Sequence, residues 1–253
     1  MKIYLAATGS CMTKALRQKA MEQLRPQYIL ETFFNGSKAC DEALSVVGNE
    51  NFLLDSGAYS YMNGAKATFE QVDGYVERYI EYISQQGIKH FIEVDVDNIF
   101  GIQQVEMWRR RIERAAGKPC IPVWHKGRGV DYWKWMCRSY NRVAVGGLVF
   151  HVKKQEYDSI RRMVEYAYER GVKVHGLGFT KTTMLHEFKF DSVDSASWSL
   201  GAARGQQIHF FKDGIIKMRQ LDKNGKKVDL GKLAYHNMCE WCKFQRYMDG
   251  VRP

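Results

Sequence analysis

Residues 52–95 read FLLDSGAYSYMNGAKATFEQVDGYVERYIEYISQQGIKHFIEVD, one complete strand–helix–strand unit. Phe52–Asp55 is a short apolar run closed by an acid, and Phe91–Asp95 repeats that form. Between them, Thr68 and Gln71 stand at capping-box spacing. Val72, Tyr75, Val76, Tyr79, Ile80 and Ile83 then recur at helical period, which predicts an amphipathic helix over Thr68–Gln85. Strands joined through a helix run parallel, and the crossover is right-handed.

The same alternation extends in both directions. Apolar runs predict further strands at Ile3–Ala7, Tyr28–Phe33, Cys120–Trp124, Val143–Gly146, Val172–His175 and Phe190–Asp194, eight in all with the two above. Helical periodicity covers Gly101–Ala116, Val130–Tyr140 and Lys154–Arg170, the last ended by Gly171 as a left-handed terminator. Eight such units close a (β/α)8 TIM barrel, and 253 residues match the length of one. Past residue 200 the pattern changes. Gln207–Phe211 and Ile215–Arg219 flank a Lys212-Asp213-Gly214 turn and predict a β-hairpin, followed by a polar stretch, Asp222–Lys227, and a Cys/His cluster. The expected division is a catalytic barrel over 1–205, with a hairpin and zinc-binding appendage over 206–253 packed on it.

Composition narrows the class of function. Lys and Arg number 38 against 28 Asp and Glu, a net charge of +10 that favours a polyanionic partner. Hydrophobic residues make up 45%, which excludes a disordered chain. The opening MKIYLAATGS lacks the apolar stretch and cleavage site of a secretory signal, and no run of 18 apolar residues suggests a membrane span. Four of the six cysteines are scattered singly, which predicts reduced thiols and a cytoplasmic setting. There is no phosphate-binding G-x-x-x-x-G-K-[ST] motif, and Gly176–Gly178 lacks the third glycine of a dinucleotide fingerprint.

In a parallel barrel the chemistry sits where strands end. The expected ends are Asp55-Ser56-Gly57, Asp95-Val96-Asp97, His125-Lys126-Gly127, Gly146-Gly147-Leu148, His175-Gly176-Leu177-Gly178 and Asp194-Ser195. A lone Asp before Ser-Gly is ordinarily a turn or helix cap. Three acids on one rim differ, because clustered carboxylates cost stability unless they are used. Two carboxylates facing one anomeric carbon suit double displacement. Gly146, Gly147 and Gly176 would let a flat purine lie against the backbone, although tight turns explain them equally well. Lys126, Arg128 and Lys181, just past strand ends, are placed to meet phosphates. Arg109-Arg110-Arg111 reads as a solvated helix face, and Trp124, Trp133 and Trp135 read as core. His236, Cys239 and Cys242 offer ligands at compact spacing for a structural zinc, with His209 or Cys137 as a fourth; reduced thiols and a redox pair are the alternatives.

Four motifs, in order along nearly the whole chain, resemble those of the tRNA-guanine transglycosylases. Phe52-Leu-Leu-Asp55-Ser-Gly-Ala-Tyr-Ser is similar to that family's Asp-Ser-Gly-Gly-Phe-Gln segment, and Val143-Ala-Val-Gly-Gly-Leu148 to its Gly-Gly-Leu loop. His175-Gly-Leu-Gly178 resembles its Met-Gly-Val-Gly turn, and Phe190-Asp-Ser-Val-Asp194-Ser its Asp-x-Phe-Asp-Cys segment. The resemblance implies Asp194 as nucleophile, with Asp191 as the alternative after a three-residue slip, and Asp55 as general acid/base. It implies base contacts from Asp95, Asp97, Ser56, Gly146, Gly147, Leu148, His175, Gly176 and His125, the last standing where the family carries a Gln. The family's structural zinc has Cys-x-Cys-x-x-Cys and a distant His, whereas here His236 replaces the first Cys. The compact length is most like the small phage-encoded relatives that place 7-deazaguanines in DNA. The expectation is therefore a transglycosylase that exchanges guanine in DNA, or in tRNA, for a free 7-deazaguanine base, with a homodimer left open. A barrel glycosidase acting on nucleosides and a catalytically silent nucleic-acid-binding paralogue are the competing readings.

Overall fold

A computed structural model describes residues 1–8, 12–62, 67–148, 156–179, 181–221 and 228–251. Seven short strands form one parallel sheet: β1 (Lys2–Ala6), β2 (Ile29–Thr32), β3 (Phe52–Asp55), β4 (Val123–Trp124), β5 (Arg142–Val145), β6 (Lys173–Gly176) and β7 (Ser192–Ser195). Their order is β3-β2-β1-β7-β6-β5-β4, so the chain runs from β1 out to the edge at β3, resumes at the opposite edge with β4 and returns strand by strand to β7 beside β1. Nine helices are described: α1 (Lys14–Leu24), α2 (Ser37–Val47), α3 (Ala58–Met62), α4 (Phe69–Gln86), α5 (Asp97–Ala116), α6 (Gly129–Ser139), α7 (Tyr157–Tyr168), α8 (Ser197–Leu200) and α9 (Leu230–Asp249).

Side chains alternate across the sheet as the two-residue strand period requires. Ile3, Leu5, Ile29, Phe52, Leu54, Val143, Val145, Val174 and Val193 face the helices and join the main core. Tyr4, Leu30, Leu53, Ile92, Ile121, Val123 and Ala144 face the other way and pack as a second, smaller cluster. The sheet curls around that cluster.

The expected strand Phe91–Asp95 contracts to two residues. Phe91 bridges Leu54 and Ile92 bridges Ile121, each as an isolated parallel pair. The ladder stops because Glu93 breaks it. Glu93 N donates to Ile121 O at 3.1 Å, but Val123 N then donates to Glu93 Oε1 at 2.7 Å, where a continuing ladder would use the Glu93 carbonyl. The regular sheet is therefore a curled, seven-stranded half-barrel, not the closed eight-stranded barrel that the alternation predicted.

The helix over Phe69–Gln86 carries the expected capping box in both directions, and Gly87 ends it in the left-handed conformation. Between β6 and β7 the connection is a 3-10 turn, Thr182–Glu187, with no full helix. β8 (Gln207–Lys212) and β9 (Ile215–Gln220) form the expected antiparallel hairpin. Helix α9 packs on the sheet: Gln245 Nε2 donates to Ile3 O at 2.7 Å and to Tyr28 O at 2.8 Å. Met238, Trp241 and Phe244 of α9 belong to the main core. The polar stretch Asp222–Lys227 and the first residues of the helix expected over Lys154–Arg170 lie outside the described residues. No described helix is long and apolar enough to cross a membrane.

Candidate active site

The parallel strands direct their carboxyl ends to one rim, and β3 and β7 bring an acid there at their last or next-to-last residue. Thr32 pairs in register with Asp55 across β2 and β3, and Tyr4 pairs with Asp194 across β1 and β7. Asp95 follows the Phe91–Ile92 bridges on the same rim and is 7% exposed. Burial, then the charge of Asp95, then that of Asp194, push the Asp55 carboxyl up to about 7. Three acids from distant parts of the chain thus lie close enough on one rim to couple electrostatically. Asp55 Oδ2 accepts from Gly57 N at 3.2 Å, and Gly57, at φ 69°, has no room for a side chain against Phe34 and Thr32.

Asp194 is held on one oxygen. Its Oδ1 accepts from Gly178 N at 2.7 Å and from His175 Nε2 at 3.2 Å. His175 is fully buried, and burial lowers its basicity more than Asp194 restores it, so the ring is neutral. Its Nδ1 meets Ser192 Oγ at 2.9 Å, and Arg142 Nη2 donates to the same Oγ at 3.1 Å. Both ring nitrogens of His175 are thus engaged inside the protein, away from any base. Asp191 lies at the other end of β7, where its backbone bonds to Lys2 N and Val174 O at the amino ends of their strands.

His125 stands 2.5 Å from Asp95 through Nε2 and Oδ2. Burial opposes a charge on the ring, yet the hydrogen bond and charge of Asp95 outweigh it and raise its affinity for a proton. Gly146 faces this pair: a Cβ there would fall 2.8 Å from His125 Nδ1 and 2.9 Å from Val123 Cγ1. Gly147 adopts φ 74°, and Leu148 is buried in the main core. Gly176 turns to the helix side, where a Cβ would meet the Phe190 ring and Val193, so its role is packing. Ser56 is fully buried; its Oγ accepts from Ala58 N and its carbonyl from Tyr75 Oη, which makes it part of the turn.

A second charged group lies beneath the rim. Arg128, its side chain 1% exposed, binds Glu93 and Asp97 at 2.7 Å each and also donates to the Val123 carbonyl. Glu93 is shared with Arg109 at 3.0 Å, itself 2% exposed. Asp97 is therefore committed to Arg128, which together with its hydrogen bond outweighs burial and lowers its pKa. Arg128 is not a phosphate contact, and Arg109 is not on a solvated face. Lys126 pairs with Glu156, and Lys181 lies 4.4 Å over the Tyr157 ring. Arg142 and Ser192 escaped the sequence reading, which gave Arg128 only a phosphate role, because long-range packing alone marks all three as partners of buried groups.

His236, Cys239 and Cys242 sit on one unbroken helix at successive spacings of three. Six residues along a helix rise about 9 Å and turn away by roughly a third of a revolution, so the outer two cannot share an ion. His236 Nε2 meets His209 O at 3.0 Å, and burial holds the Cys242 thiol protonated, up to about 12. Cys137 lies on α6, and His209 Nδ1 accepts from Trp241 Nε1 at 2.8 Å. Among the described residues no group of three candidate ligands converges. The trio does not fit a zinc ion as arranged, and no step below is routed through one.

No protein-family model matches the chain, and no curated protein matches it.

Proposed function

We propose that the chain is a base-exchanging transglycosylase of the double-displacement type, acting on guanine in DNA, with tRNA as the second polymer. The carrying observation is the carboxyl of Asp55, raised to about 7 beside Asp194, whose Oδ1 is fixed by two donors. A proton donor and acceptor poised near neutrality next to an oriented carboxylate is the pair that glycosyl transfer through a covalent intermediate needs.

In the first half, an Asp194 oxygen attacks C1′ as the C1′–N9 bond breaks. The bond's electrons leave with guanine, which takes the proton of Asp55. In the second half, an incoming 7-deazaguanine gives its N9 proton to Asp55 and attacks C1′. The C1′–O bond returns its electrons to Asp194, and two inversions give net retention. Asp95 and His125, with the main chain at Gly146 and Gly147, form the wall against which the purine edge would be read. The target base must leave the stack to reach this rim. The net charge of +10 supports a polyanionic partner, and the motif order supports a (β/α)8 scaffold whose eighth strand is the short Phe91–Ile92 seam. The setting proposed is the cytoplasm, where single thiols stay reduced.

The test is incubation of the protein with labelled guanine and either duplex DNA or tRNA, wild type against Asp194→Ala. Label entering one polymer with wild type alone supports the reading. No incorporation into either polymer overturns it.

A further inference from the structure

We infer that His175 is the positioning residue of the nucleophile: a neutral imidazole that fixes Asp194 Oδ1 and leaves Oδ2 as the attacking oxygen. The inference rests on the base-exchange reading for its chemistry, but its geometry stands separately. Four groups are strung in one direction. Arg142 Nη2 donates to Ser192 Oγ at 3.1 Å, and Ser192 Oγ lies 2.9 Å from His175 Nδ1. His175 Nε2 lies 3.2 Å from Asp194 Oδ1. Because a carboxylate can only accept, Nε2 carries the ring proton, and Nδ1 is left to accept from the Ser192 hydroxyl.

That order fixes the tautomer from behind. Arg142 is a permanent donor, so it turns the Ser192 hydroxyl proton toward His175 and denies the ring a proton on Nδ1. The ring is fully buried and packs edge-on against Tyr4 at 5.7 Å, which restricts its rotation. Gly178 N supplies the second donor to the same oxygen at 2.7 Å. Among the described residues both hydrogen bonds to Asp194 fall on Oδ1, and Oδ2 accepts none. A carboxylate pinned on one oxygen presents the other along a defined line, which lowers the entropic part of the barrier to attack at C1′. His175 therefore touches neither base nor sugar and acts through Asp194.

Two measurements test this. In exchange kinetics, His175→Leu keeps the volume of the ring and removes the donor; kcat should fall about 10²-fold, with KM for polymer and base within about twofold. His175→Gln, which carries an N–H near the Nε2 position, should recover about tenfold of that loss. Ser192→Ala, a smaller change that serves if His175→Leu does not fold, should lower kcat about tenfold, again with KM unmoved. Equal kcat in wild type, His175→Leu and Ser192→Ala would overturn the inference. The second measurement needs no activity: 15N NMR of histidine-labelled protein should show a pyrrole-type Nε2 and a pyridine-type Nδ1 for His175. Asp194→Asn should shift the Nε2 signal, and an unmoved Nε2 sinks the contact. An inactive wild type whose His175 signal responds to Asp194→Asn would overturn the proposed function while upholding the positioning of Asp194.

Discussion

Gly146 provides the room in which the His125 ring sits: a Cβ at position 146 would fall 2.8 Å from His125 Nδ1, while the ring's Nε2 meets Asp95 Oδ2 at 2.5 Å. The glycine leaves the space that the ring occupies when it meets the acid, so this contact depends on a missing side chain. Gly146→Ala should push the ring off Asp95. The expected result is a rise of about tenfold or more in KM for the incoming base, with the thermal midpoint lowered by a few degrees at most. Steady-state kinetics at varied base concentration check it, and an unchanged KM would show that His125 takes no part in base selection.

The pH dependence of exchange follows from Asp55. Its carboxyl, raised to about 7, must be protonated for the first half-reaction and ionised for the second. The rate of guanine exchange should therefore peak within about one unit of pH 7. Asp55→Asn should lower kcat about 10²–10⁴-fold and abolish the peak. A profile flat from pH 5 to 9 would remove Asp55 from the proton transfers.

The same carboxyl should leave a signature on stability. A folded-state value raised above the ordinary carboxylate value means that the native protein holds a proton the unfolded chain has already lost. Stability from this group is thus present at low pH and declines as pH rises from about 4 through about 7. Asp55→Asn, which cannot ionise, should raise the thermal midpoint relative to wild type at pH 8 by more than it does at pH 4. Thermal scans of both proteins at the two pH values decide it, and a gap that is constant or reversed would contradict the shift.

Position along β7 separates the two acids of the Phe190–Ser195 segment. Asp194 is at the rim with Asp55, and Asp191 is bonded through its backbone at the amino end. Asp194→Asn should lower kcat on the order of 10³-fold or more, whereas Asp191→Asn should stay within about threefold of wild type. Mass spectrometry of a trapped sugar adduct would locate the nucleophile directly.

Arg128 should be a stability residue. It shares the buried Glu93 with Arg109 and ties the turn after His125 to Asp97. Arg128→Met removes one partner of a buried ion pair and should cost about 3–5 kcal/mol in denaturant unfolding. A loss under about 1 kcal/mol, or weakened nucleic-acid binding at unchanged stability, would return Arg128 to the surface role its position after a strand suggests.

The sequence was most informative where local rules act alone. Thr68 and Gln71 satisfy each other across one helical turn, so the start of α4 needs nothing beyond its own neighbours. The acids and glycines at strand ends were readable because a two-residue period and parallel crossovers place them on one rim. α1 and α2 were missed in the count of elements, although Thr13 caps one and Gly36 and Gly48 bound the other. Their narrow buried stripes, Ala20–Met21 and Cys40 with Ala43, are weak signals against a polar background.

What local pattern determined, then, is the alternation of elements, the rim, and the acids Asp55, Asp95 and Asp194. What tertiary structure alone decided is the company each residue keeps. Glu93 satisfies Val123 N with its side chain and so ends a strand that its neighbours' apolarity predicted. His175, Ser192 and Arg142 meet because β5, β6 and β7 lie side by side, a contact spanning 50 residues that no spacing encodes. An unbroken α9 sets His236 and Cys242 about 1.7 turns apart, on diverging faces, a separation that spacing in the chain does not show. Periodicity is a property of neighbours along the chain; hydrogen bonds and charge coupling belong to neighbours in space, and the fold alone chooses those.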